Sequence, residues 1–435
     1  MKKEKFKVLL LSDDLRCASG VGGQSRMLVE ALVSSGKFSV KQLGGAMKHP
    51  NYDVQVLHPD IVVKPVDGFG TPNLLRQLLI TERPDVLVLF TDPRQFVWVW
   101  QMEDEINQIC PIVYWHVWDN DPYPEYNSAF YESTEVINCI SMKTYNLLKD
   151  KFPAKVNYLP HVFPKNWYYE LPKEEIDKIK AEALKDRKDW FVTLWVNRNA
   201  HRKMPADVLH GFKLFLDLLQ EKEGHRNAVL VMHTNPKDPE GPDLEAVAEM
   251  LKISDRVMFS VGQIDIPDMN RLYNVADTLI NVSRAEGFSL TVRTMLTIGK
   301  PVVALKTGGM TDQIIDEFGN EHGVALEPVE RYLVGSQATP YIYDDHFSKK
   351  EMAEGLYKVY KFTPEEKEII KQHALAHTEK QFNYDFVTKQ WIECLEKTIT
   401  NWRKDIKEKN WGLIQFNAPK KTMDKVEINK PRVKK

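Results

Sequence analysis

The stretch Ala276-Asp277-Thr278-Leu279-Ile280-Asn281-Val282-Ser283-Arg284-Ala285-Glu286-Gly287-Phe288-Ser289-Leu290-Thr291 decides how this chain is read. Residues 278–282 lack polar alternation, as expected of a strand covered on both faces. The strand ends at Ser283, a loop carries Glu286-Gly287, and a helix starts near Ser289 and stops at Gly299. Pro301-Val302-Val303-Ala304-Leu305 is the next strand, followed by Gly308-Gly309 and another helix start. Both loops leave the carboxyl end of a strand, where open α/β sheets place ligands. Both also aim the free N–H groups of a helix N-terminus at one crevice, a ready anion site. Glu286 in that crevice suits hydroxyls, because a carboxylate accepts two hydrogen bonds in fixed geometry. Taken singly, Glu286 reads as a solvated loop acid and the glycines as ordinary turns.

Upstream, Asn197-Arg198-Asn199-Ala200-His201-Arg202-Lys203 follows a strand at 190–196. Two guanidinium forks and an ammonium point charge at one strand end suit a diphosphate; an isolated trio of this kind is more commonly a solvated loop. Further strand-like runs at 228–233, 257–261 and 301–305, with helical patterns between them, complete one βα series. An earlier series has runs at 6–11, 86–90, 112–117 and 136–140, with a Gly-rich turn and a helix at 25–35 after the first. Two such series joined by a charged helix at 173–188 predict two doubly wound α/β domains facing each other across a cleft.

The 435 residues fit two or three domains. Lys and Arg total 59 against 61 Asp and Glu, a net charge of −2, which excludes wholesale coating of nucleic acid and leaves room only for local basic patches. Cys17, Cys110, Cys139 and Cys394 form no Cys-x-x-Cys pair, so neither a disulfide framework nor a zinc cluster is expected. Reduced thiols, an apolar run at 8–11 too short for a signal peptide, and no apolar stretch approaching the ~18 residues of a membrane span predict a cytoplasmic protein. Residues 419–435 carry seven basic side chains against Asp424 and Glu427 and read as a disordered tail.

Taken in order, Arg198 and Lys203, the Ser-x-x-Glu-Gly-Phe segment, Gly-Lys-Pro-Val-Val-Ala and Gly-Gly resemble family 4 glycosyltransferases, the retaining, glycogen-synthase-like enzymes of the GT-B fold. The match is strongest over 190–320. Gly20-Val21-Gly22-Gly23 resembles the family's N-terminal glycine loop, and Tyr158-Leu159-Pro160-His161 resembles the segment closing its first domain. The resemblance implies two Rossmann-like domains: residues 1–172 on the acceptor side and 189–375 binding the nucleotide sugar, joined by the connector 173–188. Helices at 376–412 would return to the first domain, ahead of the tail at 413–435. Arg198 and Lys203 would neutralise the leaving diphosphate, Glu286 would bind hydroxyls of the transferred sugar, and His116 would lie near that sugar. Gly22, Gly23, Arg202, Phe288, Ser289, Leu290, Thr294, Gly308 and Gly309 would line the donor site. For His116 the alternative is a histidine packed between Trp115 and Trp118, and for Gly22 and Gly23 a tight strand-to-helix turn.

One position departs from the family: its second glutamate, eight residues after the first, is replaced by Thr294. A threonine makes no two-oxygen clamp on a ribose, so the donor's identity stays open. Asp119-Asn120-Asp121 spells the Asp-x-Asp of metal-dependent glycosyltransferases of another fold; a polar loop is the favoured reading, and Asp119 is a candidate to reach the acceptor. Trp98, Trp100, Trp115, Trp118 and Tyr123 are read mainly as core. Trp391, Trp402 and Trp411 suggest either packing on the first domain or weak contact with a membrane surface.

The function expected is therefore retaining transfer of a sugar from a nucleotide diphosphate sugar, with no metal and no bound cofactor. The acceptor is left open among a glycan, a lipid, a protein and a modified DNA base. An epimerase or phosphorylase on the same fold, or a non-catalytic nucleotide-sugar or glycan-binding protein, are the alternatives.

Overall fold

The computed structural model describes residues 4–408. The expected tail at 413–435, residues 409–412 and Trp411 lie outside the described residues.

The chain forms two parallel sheets. The first contains β1 (Phe6–Asp13), β2 (Phe38–Gly45), β3 (Gln55–His58), β4 (Ile61–Pro65), β5 (Val86–Thr91), β6 (Ile112–His116), β7 (Val136–Cys139) and β8 (Val156–Tyr158). Their order is β3-β4-β2-β1-β5-β6-β7-β8, parallel except for the antiparallel edge pair β3–β4. The second contains β9 (Phe191–Val196), β10 (Ala228–His233), β11 (Val257–Ser260), β12 (Thr278–Asn281), β13 (Val302–Leu305) and β14 (Gly323–Leu326), in the order β11-β10-β9-β12-β13-β14. A separate antiparallel hairpin, β15 (Glu330–Val334) and β16 (Ile342–His346), follows.

The central strands were legible because both faces are covered: all side chains of β6, β9, β12 and β13 are buried. The strands not anticipated are those without that signature. β3 and β15 are largely exposed, β8 has three residues, and β2 carries the buried polar Gln42, which donates to Ser12 Oγ and to the Asp13 carbonyl. In each sheet the strand order reverses beside the first strand, between β1 and β5 and between β9 and β12. Ligands bind at such switch points, beyond the carboxyl ends of the strands.

The first helix runs Gly20–Ser34, five residues earlier than expected, because Ser19 caps it by accepting from the Gly22 amide at 2.9 Å. The glycines expected in a loop are thus the helix's first turn.

The crossing at the end of the chain falls later than expected. Helix Pro364–Gln381 still packs on the second half: Ala374 lies in its core and His377 bonds to the Asp312 carbonyl at 2.9 Å. From Phe382 onward the chain joins the first half. Val387, Trp391, Leu395 and Ile399 of helix Tyr384–Glu408 enter the core beneath β1 and β6, with the Trp391 ring 4.8 Å from Trp115. Trp391 is therefore a packing residue, not a membrane contact.

Candidate active site

A cavity of about 650 Å³ opens between the two sheets at their carboxyl ends. The first half contributes Ala18 to Val21 after β1, together with Val117, Asp119 and His161. The second half contributes Arg198, Arg202 and Lys203 after β9, His233 to Asn235 at the end of β10, and Glu286 to Thr291 after β12.

Local structure explains why these side chains converge. After β9 the chain makes a short 3-10 turn, His201–Lys203, then turns at Met204 (φ 56) into helix Pro205–Glu223. That turn folds Lys203 inward, where it donates to Glu286; the two side chains are only 10% and 12% exposed. Burial pushes the Lys203 ammonium below its ordinary value, and Glu286 opposes that shift. Arg202 donates to the Ala285 carbonyl at 2.9 Å and lies 3.8 Å from Asp119. Burial opposes its charge, but Asp119, Glu286 and Asp344 outweigh that and hold it protonated. Arg198 stands at the rim, its guanidinium donating to both Asp238 oxygens at 2.9 and 3.0 Å.

Ser289 caps helix Leu290–Thr297, accepting from the Val292 amide at 3.2 Å, and Asn281 holds the Ser289 hydroxyl at 2.9 Å. The positive end of that helix, with Ser289, Leu290 and Thr291, therefore faces the cavity. Asp119 reaches across from the first half and accepts from the Gly287 amide at 3.0 Å.

Several expected site residues lie elsewhere. His116 is fully buried, its Nε2 2.8 Å from the Tyr131 hydroxyl; it does not line the cavity, and burial lowers it to about 3. It is the packed histidine of the alternative reading. Gly22 and Gly23 do not line the cavity either. A Cβ on Gly22 would sit 2.6 Å from the Cys17 carbonyl, so it serves the turn, while Gly20 and Val21 take the cavity wall. Thr294 is buried and does not reach the cavity. Gly308 and Gly309 line no part of it: they press on the Glu286 loop, with Gly309 donating to the Glu286 carbonyl at 2.9 Å. A Cβ on Gly309 would meet the Gly287 oxygen at 2.0 Å.

His161 was not anticipated as a site residue. It borders the cavity 5.1 Å from the Phe288 ring and 5.3 Å from Trp115, and burial lowers it to about 3. The only available signal was its place after Pro160, at the end of the segment that closes the first series.

The Asp-x-Asp carboxylates diverge: Asp119 turns to Gly287, whereas Asp121 pairs with Lys143 at 2.5 Å and Arg331 at 3.2 Å. Among the described residues no group of three or more His, Cys, Asp or Glu side chains is placed to hold a metal ion. Nor is any described helix long and apolar enough to cross a membrane.

Two facing parallel sheets with a cleft at their switch points and a final helix crossing back define the GT-B fold of glycosyltransferases, and solved structures agree. A glycosyltransferase from Rickettsia africae ESF-5 superposes with a TM-score of 0.67 at 14% identity, over 92% of this chain and 100% of that one. Sucrose-phosphate synthase from Thermosynechococcus elongatus gives 0.68 at 15% identity over 91% and 100%. Anabaena HepE, in complex with UDP and glucose, gives 0.65 at 17% identity over 90% and 100%. Residues 201–333 match the family model of glycosyl transferases group 1, so the chain carries a group 1 glycosyl transferase domain on a GT-B fold, in line with the resemblance read from its motifs. No curated protein sequence matches the chain.

Proposed function

We propose that the protein transfers a sugar from a nucleotide diphosphate sugar to an acceptor hydroxyl with retention of configuration. The observation that carries this reading is the buried Lys203–Glu286 pair at the N-terminus of helix Leu290–Thr297, with Arg202 beside it in the cleft. Glu286 has a second oxygen for sugar hydroxyls, and the cations with the helix end match the charge that grows on a departing diphosphate. That HepE holds UDP and glucose supports a nucleotide-sugar donor.

In the reaction, the bond from the sugar's anomeric carbon to the diphosphate oxygen breaks. A bond from the acceptor oxygen forms on the same face, and the acceptor proton passes to the departing phosphate oxygen. Arg198, Arg202 and Lys203 would stabilise that oxygen, so the chemistry needs no metal ion. Asp119 would steer the acceptor from the opposite wall, and closure of the cleft would keep water from the donor.

Thermal-shift screening of UDP-, GDP- and ADP-sugars, followed by nucleoside diphosphate release and NMR of the new anomeric linkage, tests the proposal. The expected product keeps the donor's anomeric configuration. An inverted product, or a donor epimerised with no acceptor present, contradicts it.

A further inference from the structure

A second cavity, of about 440 Å³, adjoins the first and shares Val117, Asp119 and Arg202 with it. One wall comes from the loops after β5 and β6, including Asp92, Arg94 and Trp118; the other comes from the β15–β16 hairpin, through Val334, Ser336, Thr339, Ile342 and Asp344. The family match ends at residue 333, inside that hairpin.

The hairpin is not a loose appendage. Its Tyr343 amide donates to the Asp121 carbonyl at 2.9 Å, and Asn120 donates to Asp345 at 2.9 Å. Tyr126 donates to the Tyr341 carbonyl at 2.9 Å. The Asp345 amide donates to the Arg284 carbonyl at 2.8 Å, tying the same strand to the loop that carries Glu286. Through these bonds the wall is held against both halves of the molecule.

Charge decides what such a cavity can hold. Arg94 is committed to Asp92 through two bonds of 2.8 and 2.6 Å, and Arg202 to the Ala285 carbonyl and Asp119. The lining itself carries three carboxylates, Asp92, Asp119 and Asp344, against these two cations, with Arg284 3.8 Å from Asp344. Arg202, on the shared wall, is the cation that faces the donor's diphosphate; a further phosphate on the hairpin side would then meet Asp92 and Asp344, with only Arg94, already held by both Asp92 oxygens, to oppose them. Hydroxyls, in contrast, donate to carboxylates and exchange bonds with Ser336 and Thr339, while Val117, Val334 and Ile342 offer apolar surface to ring C–H groups.

We infer that this second cavity is the acceptor subsite, and that the hairpin makes it select a neutral, polyhydroxylated acceptor, a sugar ring, over a phosphorylated or nucleic-acid one. The inference rests on the transfer reading above. The shared wall of Asp119 and Arg202 is where donor and acceptor would meet.

The test uses the full chain, its best nucleotide-sugar donor, and a panel of methyl glucoside, galactoside and mannoside beside the matching sugar 6-phosphates and a short DNA duplex. Expected is transfer to at least one neutral glycoside, with kcat/KM about tenfold or more above its phosphorylated counterpart. Asp344→Asn removes a charged acceptor of hydrogen bonds and Val334→Trp fills the mouth from an exposed strand position. Each should raise the acceptor KM about tenfold, and Val334→Trp should leave the donor Kd from calorimetry unchanged. Preferred transfer to a sugar phosphate or to DNA, no transfer to any neutral glycoside, or an unchanged acceptor KM in both variants overturns the assignment. If the wild-type chain binds no nucleotide sugar at all, the transfer reading falls and this one with it.

Discussion

Lys203 donates a hydrogen bond to Glu286 inside the cleft, with both side chains withdrawn from water. Burying an ion pair is costly unless geometry and further hydrogen bonds offset the desolvation, and removing one partner strands the other charge. A pair held this way at a helix N-terminus is poised to admit an anion beside the lysine and hydroxyls beside the carboxylate. Glu286→Gln keeps the size and removes the charge, so kcat/KM should fall by about a hundredfold or more. Circular dichroism should show the fold intact, and turnover at wild-type level would remove Glu286 from the site.

Gly309 acts on the site without touching it. Because an added Cβ would meet the Gly287 oxygen at 2.0 Å, Gly309→Ala should displace the Glu286 loop. Donor affinity should weaken by about tenfold or more, with little change in overall secondary structure. Calorimetric titration of the best nucleotide sugar measures this directly, and unaltered affinity would show the loop to be compliant.

The returning helix supplies a separate test of the architecture. Trp391 is buried against Trp115, so Trp391→Ala should destabilise the protein by about 3–5 kcal/mol. Denaturant unfolding, followed by fluorescence, reads the loss. A change below about 1 kcal/mol would mean that this helix does not brace the first half.

Stability should fall on the acid side of neutrality. Burial lowers His116 and His161 to about 3 and His322 to about 4, from an ordinary 6.5. Below about pH 6.5 the unfolded chain takes up protons that the folded chain refuses, so their stabilisation is present above that pH and is lost toward pH 3–4. Asp312, raised to about 6 by burial, acts oppositely: its contribution is present below 3.8 and is lost as pH rises through 6. His233, His346 and His377 are lowered as well and Asp13 and Asp344 raised, so six histidines stand against three carboxyls and leave a net acid-side loss. Tm should be lower near pH 5 than near pH 7.5, with His322→Gln flattening the profile.

The parts legible in the sequence were those whose physics is local. Apolar runs such as Val302–Leu305 announce doubly covered strands, and the order of Arg198, Lys203 and Glu286 along the chain places three cavity residues without any view of the fold. What stayed hidden depends on long-range packing. His116 ends an apolar run and His161 follows the short segment Tyr158-Leu159-Pro160, and only the packing of the sheet decides that the first meets Tyr131 while the second borders the cavity. The hairpin was missed because β15 is exposed and alternates no apolar face toward its own domain. Its role comes from what it meets across the cleft.

The most direct measurement is product analysis with the full chain, a nucleotide diphosphate sugar and a neutral methyl glycoside. Expected are stoichiometric release of nucleoside diphosphate and a new glycosidic bond of the donor's own anomeric configuration, both lost in Glu286→Gln. Donor binding without any diphosphate release across the acceptor panel, or a product of inverted configuration, would contradict transfer with retention.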